Sequence, residues 1–217
     1  MLPDHLSQTA KRVEARRGYI SEAFHSFNQP LTALHCGLEL CLLKERSPEE
    51  YRERIADALE NAGTVLQLSK AVRELVEAVD PGEELQSVEL QPALTALSDE
   101  LAIVAEAAVV GLKLSCQQGV AVFVDPSKLT RHLGNLGSII IRALEPGGTV
   151  QLGVEAGAEY VAIEIAGKGK QRADVDNGLQ SKIDTIRIDA ANSYAWTLGG
   201  EFSKGQNSFM IRLAALK

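Results

Sequence analysis

Apolar residues recur at heptad spacing through the first third of the chain. Val13, Ile20, Phe24, Phe27, Leu31, Leu34, Leu38 and Cys41 stand seven apart, then four and three in alternation. This is the seam of a helix in a coiled-coil-like bundle. Residues 1–18, polar and rich in Lys and Arg, lead into it, with Asp4 or Ser7 as N-cap. The helix is predicted to end near Lys44–Arg46. Ser47-Pro48-Glu49-Glu50 restarts it: an N-cap, a proline at the first helical position, and acids in the first turn. A second seam follows at Tyr51, Ile55, Ala58, Ala62, Val65, Ser69, Val72, Val76 and Val79. So short a link makes the two helices an antiparallel hairpin. One hairpin cannot bury two such seams. A second copy, giving a dimeric four-helix bundle, covers them; folding back on the C-terminal half is the alternative.

Asp80-Pro81-Gly82-Glu83-Glu84 breaks the pattern and reads as a linker, dividing the chain into domains 1–80 and 81–217. Beyond it the periodicity predicts a strand at Gln86–Leu90, a helix from Pro92 to Ala108, and strands at Leu112–Cys116 and Val120–Val124. Asp125-Pro126 opens a helix running to Leu144. Strands Thr149–Val154 and Tyr160–Ala166 form a hairpin about Gly157-Ala158. A polar loop spans Gly167–Gly178, a helix Ile183–Leu198, and a closing hairpin Glu201–Ser203 and Ser208–Leu213. The sum is one mixed sheet covered on one side by three helices, an α+β sandwich.

Composition narrows the class. With 45% hydrophobic, 24% charged and 5% aromatic residues in a chain of 217, the core is aliphatic. A net charge of -7 argues against a nucleic-acid partner, which needs a dense basic face. The Leu101–Leu114 run is too short for a membrane span and is broken by Glu106 and Lys113. The N-terminus has no basic start followed by an apolar run, so no signal peptide is read there. Cys36, Cys41 and Cys116 show no metal spacing and read as reduced thiols of a cytoplasmic protein.

The chemistry centres on His25. It follows Phe24, a seam position, and so faces solvent beside the seam; Pro30 should bend the helix just after it. A neutral imidazole is nucleophilic near neutral pH. The segment His25-Ser26-Phe27-Asn28-Gln29-Pro30-Leu31, continued by Thr32-Ala33-Leu34, resembles the phosphoacceptor box of two-component histidine kinases, in the variety His-Glu-Leu-Asn-Gln-Pro-Leu. The second half resembles the ATP-binding domain that follows such hairpins, most closely from Asp125 to Leu144 and on through Pro146-Gly147-Gly148-Thr149-Val150. The resemblance spans residues 15–216 and implies His25 as phosphoacceptor, with Ser26, Asn28, Gln29 and Thr32 facing the docked partner.

The nucleotide boxes depart from that pattern. Asn-Leu-x-x-Asn-Ala keeps its first asparagine as Asn135, but the magnesium-binding second falls on Ile139 and the alanine on Ile140. The adenine-binding aspartate of Asp-x-Gly-x-Gly falls on Gly167, with Gly169 retained. The glycine-rich start of the last helix reads Asp184-Thr185-Ile186-Arg187-Ile188-Asp189, while Gly199-Gly200 after it is present. Thirty residues separate Gly169 from Gly199, too few for a nucleotide lid. Isoleucine offers Mg²⁺ no oxygen. A helix start without glycine cannot bring its N–H groups close to phosphates. Phosphoryl transfer from ATP depends on such placement, and Ser26 stands where kinases carry an acid that acts as base.

The expectation is therefore a histidine phosphotransferase similar to the ChpT type: a homodimer that binds no cofactor of its own and relays phosphoryl groups between aspartates of response-regulator receiver domains or of a hybrid histidine kinase. The receiver supplies the Mg²⁺. A pseudokinase scaffold is the alternative, and an active kinase a third. By resemblance, Gln29 would orient water against a phosphoaspartate; it reads equally as a solvated polar residue. His35 lies about 280° around the helix from His25 and shares no face with it. His132 is expected at the surface, His5 near a frayed end, the Gly167–Lys170 run as a flexible loop, and Tyr194 and Trp196 in helix packing.

Overall fold

The structure is a computed structural model; it describes residues 26–80, 84–173 and 178–216, excepting the side chain of Leu179. His5, the N-caps Asp4 and Ser7, the seam residues Val13, Ile20 and Phe24, His25 and the linker centre Pro81–Glu83 lie outside the described residues. The chain forms two compact units, Met1–Arg73 and Glu74–Lys217.

In the first unit, α1 covers 26–42 and continues through Pro30; α2 is Pro48–Glu77. Local chemistry fixes the turn between them. Glu50 N donates to Ser47 Oγ at 3.2 Å and Ser47 N to Glu50 Oε2 at 2.9 Å, a reciprocal capping box. Two carbonyls of the last turn of α1 find side-chain donors: Leu40 accepts from Arg46 Nη2 at 3.0 Å, and Cys41 from the Tyr51 hydroxyl at 3.4 Å. The last third of the predicted α2 seam is corrected by one residue. Leu68, Ala71, Leu75 and Ala78 are buried, whereas Val76 and Val79 are about half exposed. The β-branched valines marked the wrong stripe, and the smaller Ala and longer Leu face inward. No helix among the described residues is long and apolar enough to cross a membrane.

The second unit begins with the last turn of α2. Then follow β1 (Gln86–Glu89), α3 (Leu90–Ala108), β2 (Gly111–Ser115), β3 (Ala121–Val124), α4 (Pro126–Ala143), β4 (Thr149–Ala156), β5 (Tyr160–Lys168), α5 (Leu179–Thr197), β6 (Glu201–Lys204) and β7 (Ser208–Ala214). The single expected sheet is two sheets. Five strands run β2-β4-β5-β7-β6, with β2 parallel to β4 and the other pairs antiparallel; β1 and β3 form a separate antiparallel ribbon. The parallel β2–β4 pair requires a crossover, and the ribbon strand β3 with α4 supplies it. The core joins one sheet face (Val150, Leu152, Val161, Ile163, Ile165, Phe209, Ile211, Leu213) to Leu94, Leu97, Leu101, Leu129, Leu133, Leu136, Ile183 and Ile186 of the helices. Gly137 lets α3 and α4 close up, since a Cβ there would stand 2.6 Å from Leu101 Cδ1.

Asp125 is the N-cap of α4 and accepts from Ser127 N at 2.9 Å and Lys128 N at 3.1 Å. Burial pushes its carboxyl up, but the hydrogen bonds from Ser127 and Lys128 and the Lys128 charge outweigh that and hold it below the usual range.

Candidate functional site

Along α1, Asn28, Gln29 and Thr32 are exposed, while Ser26 is 3% exposed. Three of the four residues expected to face a partner are therefore on the surface; the Ser26 side chain is behind it. Gln29 and Thr32 stand about 60° apart around the helix, on one face.

In the second unit the position of the adenine-binding aspartate is crowded. Asn207 and β5 are stitched together: Gly167 N donates to Asn207 O at 2.8 Å, and Asn207 Nδ2 to Gly167 O at 2.9 Å. A Cβ on Gly167 would stand 2.5 Å from Asn207 Nδ2 and 2.7 Å from Ile140 Cγ2. A side chain where the family carries its aspartate would have to displace Asn207 and the Ile140 methyl. The residues after it are tied down as well. Glu145 N donates to Lys170 O at 2.8 Å, Arg172 N to Ala143 O at 2.9 Å, and Arg172 Nε to Leu144 O at 2.8 Å. Gly169, at φ 138, packs against Gly148, where a Cβ would meet Gly148 Cα at 3.0 Å. The start of this run, expected as a loop, is β strand to Lys168, and it is fixed by the turn after α4.

The last helix begins earlier than expected, at Leu179 with Gly178 as N-cap, so Asp184–Asp189 lies inside α5 rather than at its start. Its polar first turns are held by i, i+4 contacts such as Gln180 Nε2 to Asp184 Oδ1 at 2.8 Å. Asp184 also takes Arg142 Nη2 of α4 at 2.7 Å, closing α4 onto α5. Magnesium nucleotide does not fit these residues: Ile139 is hydrocarbon, and Gly167 offers no carboxylate.

No protein-family model matches the sequence, and no curated protein does. Solved structures do. Histidine kinase AdeS of Acinetobacter baumannii aligns with TM-score 0.65 at 14% identity over 89% of this chain and 98% of its own. Histidine kinase ThkA, solved in complex with response regulator protein TrrA, aligns with TM-score 0.70 at 14% identity over 100% of this chain and 67% of its own. A histidine kinase from Burkholderia phymatum STM815 gives 0.55 at 14%, over 90% and 99%. The chain has the fold of a histidine kinase core. The helical hairpin followed by the α/β sandwich matches the dimerisation and ATPase domains of those cores.

Within that fold, Asn135 makes a different contact. Its Nδ2 donates to Glu74 Oε2 at 2.9 Å, and Arg187 Nε stands 3.7 Å from the same oxygen. Glu74 is 2% exposed. Beside it, Arg131 pairs with Glu77 at 2.7 Å. His132, expected at the surface, is 2% exposed, with its ring 4.7 Å from that of Tyr194. The correction follows from position: His132 is three residues after Leu129 and four before Leu136, both buried. Burial, then the charges of Arg131 and Lys128, lower its pKa to about 3, so the imidazole is neutral. Burial and the Asp125 charge push the Tyr194 phenol up, and its hydroxyl donates to Asp125 O at 3.2 Å. Trp196 is about half exposed. Sequence reasoning missed Glu74, Arg187 and Asn207. Glu74 carried a signal, a lone acid between seam positions; Asn207 carried none, because its contact with Gly167 spans 40 residues.

Proposed function

We propose that the chain is a histidine phosphotransferase that exchanges phosphoryl groups with receiver-domain aspartates through His25 and does not draw on ATP. The observation that carries this reading is the packing at Gly167, where Asn207 and Ile140 take the volume an adenine-binding aspartate would need. The exposure of Asn28, Gln29 and Thr32 next to His25 supports a docking surface there. ThkA, of the same fold, was solved with a response regulator, which supports a receiver domain as partner. Dimerisation through residues 1–80 is supported by seam residues left open in a single chain: Leu31 at 44%, Leu38 at 46% and Ile55 at 53% exposure.

Chemically, a neutral imidazole nitrogen of His25 attacks the phosphorus of an aspartyl phosphate. The N–P bond forms, the acyl O–P bond breaks, and the carboxylate leaves. The reverse step delivers the phosphoryl group to a second aspartate. Charge on the transferred group is met by the Mg²⁺ of the receiver.

The test is to mix the chain with a receiver domain carrying labelled phosphoaspartate. Label should pass to this chain, be lost in His25→Ala, and move on to a second receiver. Label that never leaves any receiver of the same genome would instead favour a scaffold.

A further inference from the structure

Helix α1 carries a cluster that the relay does not use. His35, Cys36 and Glu39 stand at i, i+1 and i+4, are all exposed, and bring one ligand atom each to within 4.8 Å of one another. His35 Nδ1 is already 3.4 Å from Glu39 Oε2. In the heptad of the α1 seam Cys36 and Glu39 take outer positions, while His35 takes the e position beside the apolar stripe. Glu39 is the only Asp, Glu, Lys or Arg between residues 26 and 43, so no helix cation competes for its carboxylate. Cysteine is among the residue types most often buried; here it stands at the surface between a histidine and a glutamate.

We propose that His35, Cys36 and Glu39 form a surface site for a borderline divalent transition-metal cation of the Zn²⁺ class. The donor set selects the ion. Thiolate and imidazole suit Zn²⁺ and its neighbours, whereas Mg²⁺ and Ca²⁺ take oxygen. Metal–nitrogen and metal–sulfur bonds of about 2.0–2.3 Å set tetrahedral donors roughly 3.3–3.8 Å apart. The cluster reaches that by closing about 1 Å through rotamers of exposed side chains. The backbone beneath is helical, with Leu43 N donating to Glu39 O at 3.2 Å. Three ligands leave one position for water, so the site is open.

Co²⁺ replaces Zn²⁺ and reports thiolate ligation by its near-ultraviolet charge-transfer band. Titrated into the full reduced chain, Co²⁺ should give that band at one equivalent per chain, and Zn²⁺ should abolish it. Cys36→Ser should remove the band, while Cys41→Ser and Cys116→Ser keep it. His35→Gln and Glu39→Gln should each weaken affinity at least about tenfold, as loss of one ligand does. No band, a band that survives Cys36→Ser, or an affinity unchanged by both His35→Gln and Glu39→Gln overturns the site. The readout is the metal's own spectrum and is independent of phosphotransfer.

Discussion

Asn135 donates its side-chain amide to the buried carboxylate of Glu74 at 2.9 Å. The residue that matches the nucleotide box is thereby engaged in holding the last turn of α2 against α4. Asn135→Ala removes one donor from a buried charge and should destabilise the second unit by about 1.5–3 kcal/mol. Denaturant unfolding measures this; phosphotransfer at a temperature where the variant stays folded should match the parent chain. A variant as stable as the parent would mean that Arg187 alone satisfies Glu74.

Restoring the family's aspartate should not restore a nucleotide site. Gly167→Asp places a Cβ within 2.7 Å of Ile140 Cγ2 and closer still to Asn207. The expected result is a loss of roughly 1–3 kcal/mol from overpacking and no heat of binding on titration with magnesium ATP. A stable, ATP-binding Gly167→Asp chain would show that the cleft opens readily, and would weaken the relay reading.

His132 makes stability depend on pH. Its unfolded pKa is near 6.5 and its folded one about 3. Between those values the unfolded chain binds a proton that the folded chain refuses. The stability present above 6.5 is therefore lost as pH falls toward 3. The share lost between about pH 7.5 and about pH 5 is about 2 kcal/mol. Urea unfolding at both pH values should show this difference shrinking by that amount in His132→Phe, which removes the titrating group. Equal pH dependence in both proteins would rule the histidine out as its source.

Val109 closes α3 in the left-handed region at φ 58, an uncommon conformation for a β-branched residue. It is 65% exposed, so little packing depends on its side chain. Val109→Gly should raise stability by roughly 0.5–1 kcal/mol, the relieved strain less the flexibility added to the unfolded chain. Thermal melting checks the sign; a lower melting temperature would refute the strain argument.

What was legible in the sequence was local. Ser47-Pro48-Glu50 and Asp125-Pro126 announced α2 and α4 because capping needs only residues a turn apart. What was not legible depended on distant partners or on position. Leu179 could not be read as a helix start, since its only signal is a glycine beside polar residues. His132 was judged by residue type although it shares a stripe with Leu129 and Leu136. The β1–β3 ribbon was not legible as a sheet of its own, because its pairing joins segments more than thirty residues apart, Gln86 to Val124 at the extreme. The crowding at Gly167 comes from Asn207, which no box in the sequence names.

The end of α2 has a consequence for the order of folding. Its last carbonyls are not closed by a glycine turn of its own. Lys128 Nζ donates to Glu77 O at 3.3 Å and to Asp80 O at 2.8 Å, and the Thr197 hydroxyl donates to Ala78 O at 3.1 Å. Those partners lie 48 to 119 residues further along. On a ribosome the hairpin emerges before the second unit, yet its final turn waits for residues made well after it. The hairpin is finished from behind, and a chain cut short before Lys128 lacks all three donors and carries a helix with a frayed last turn.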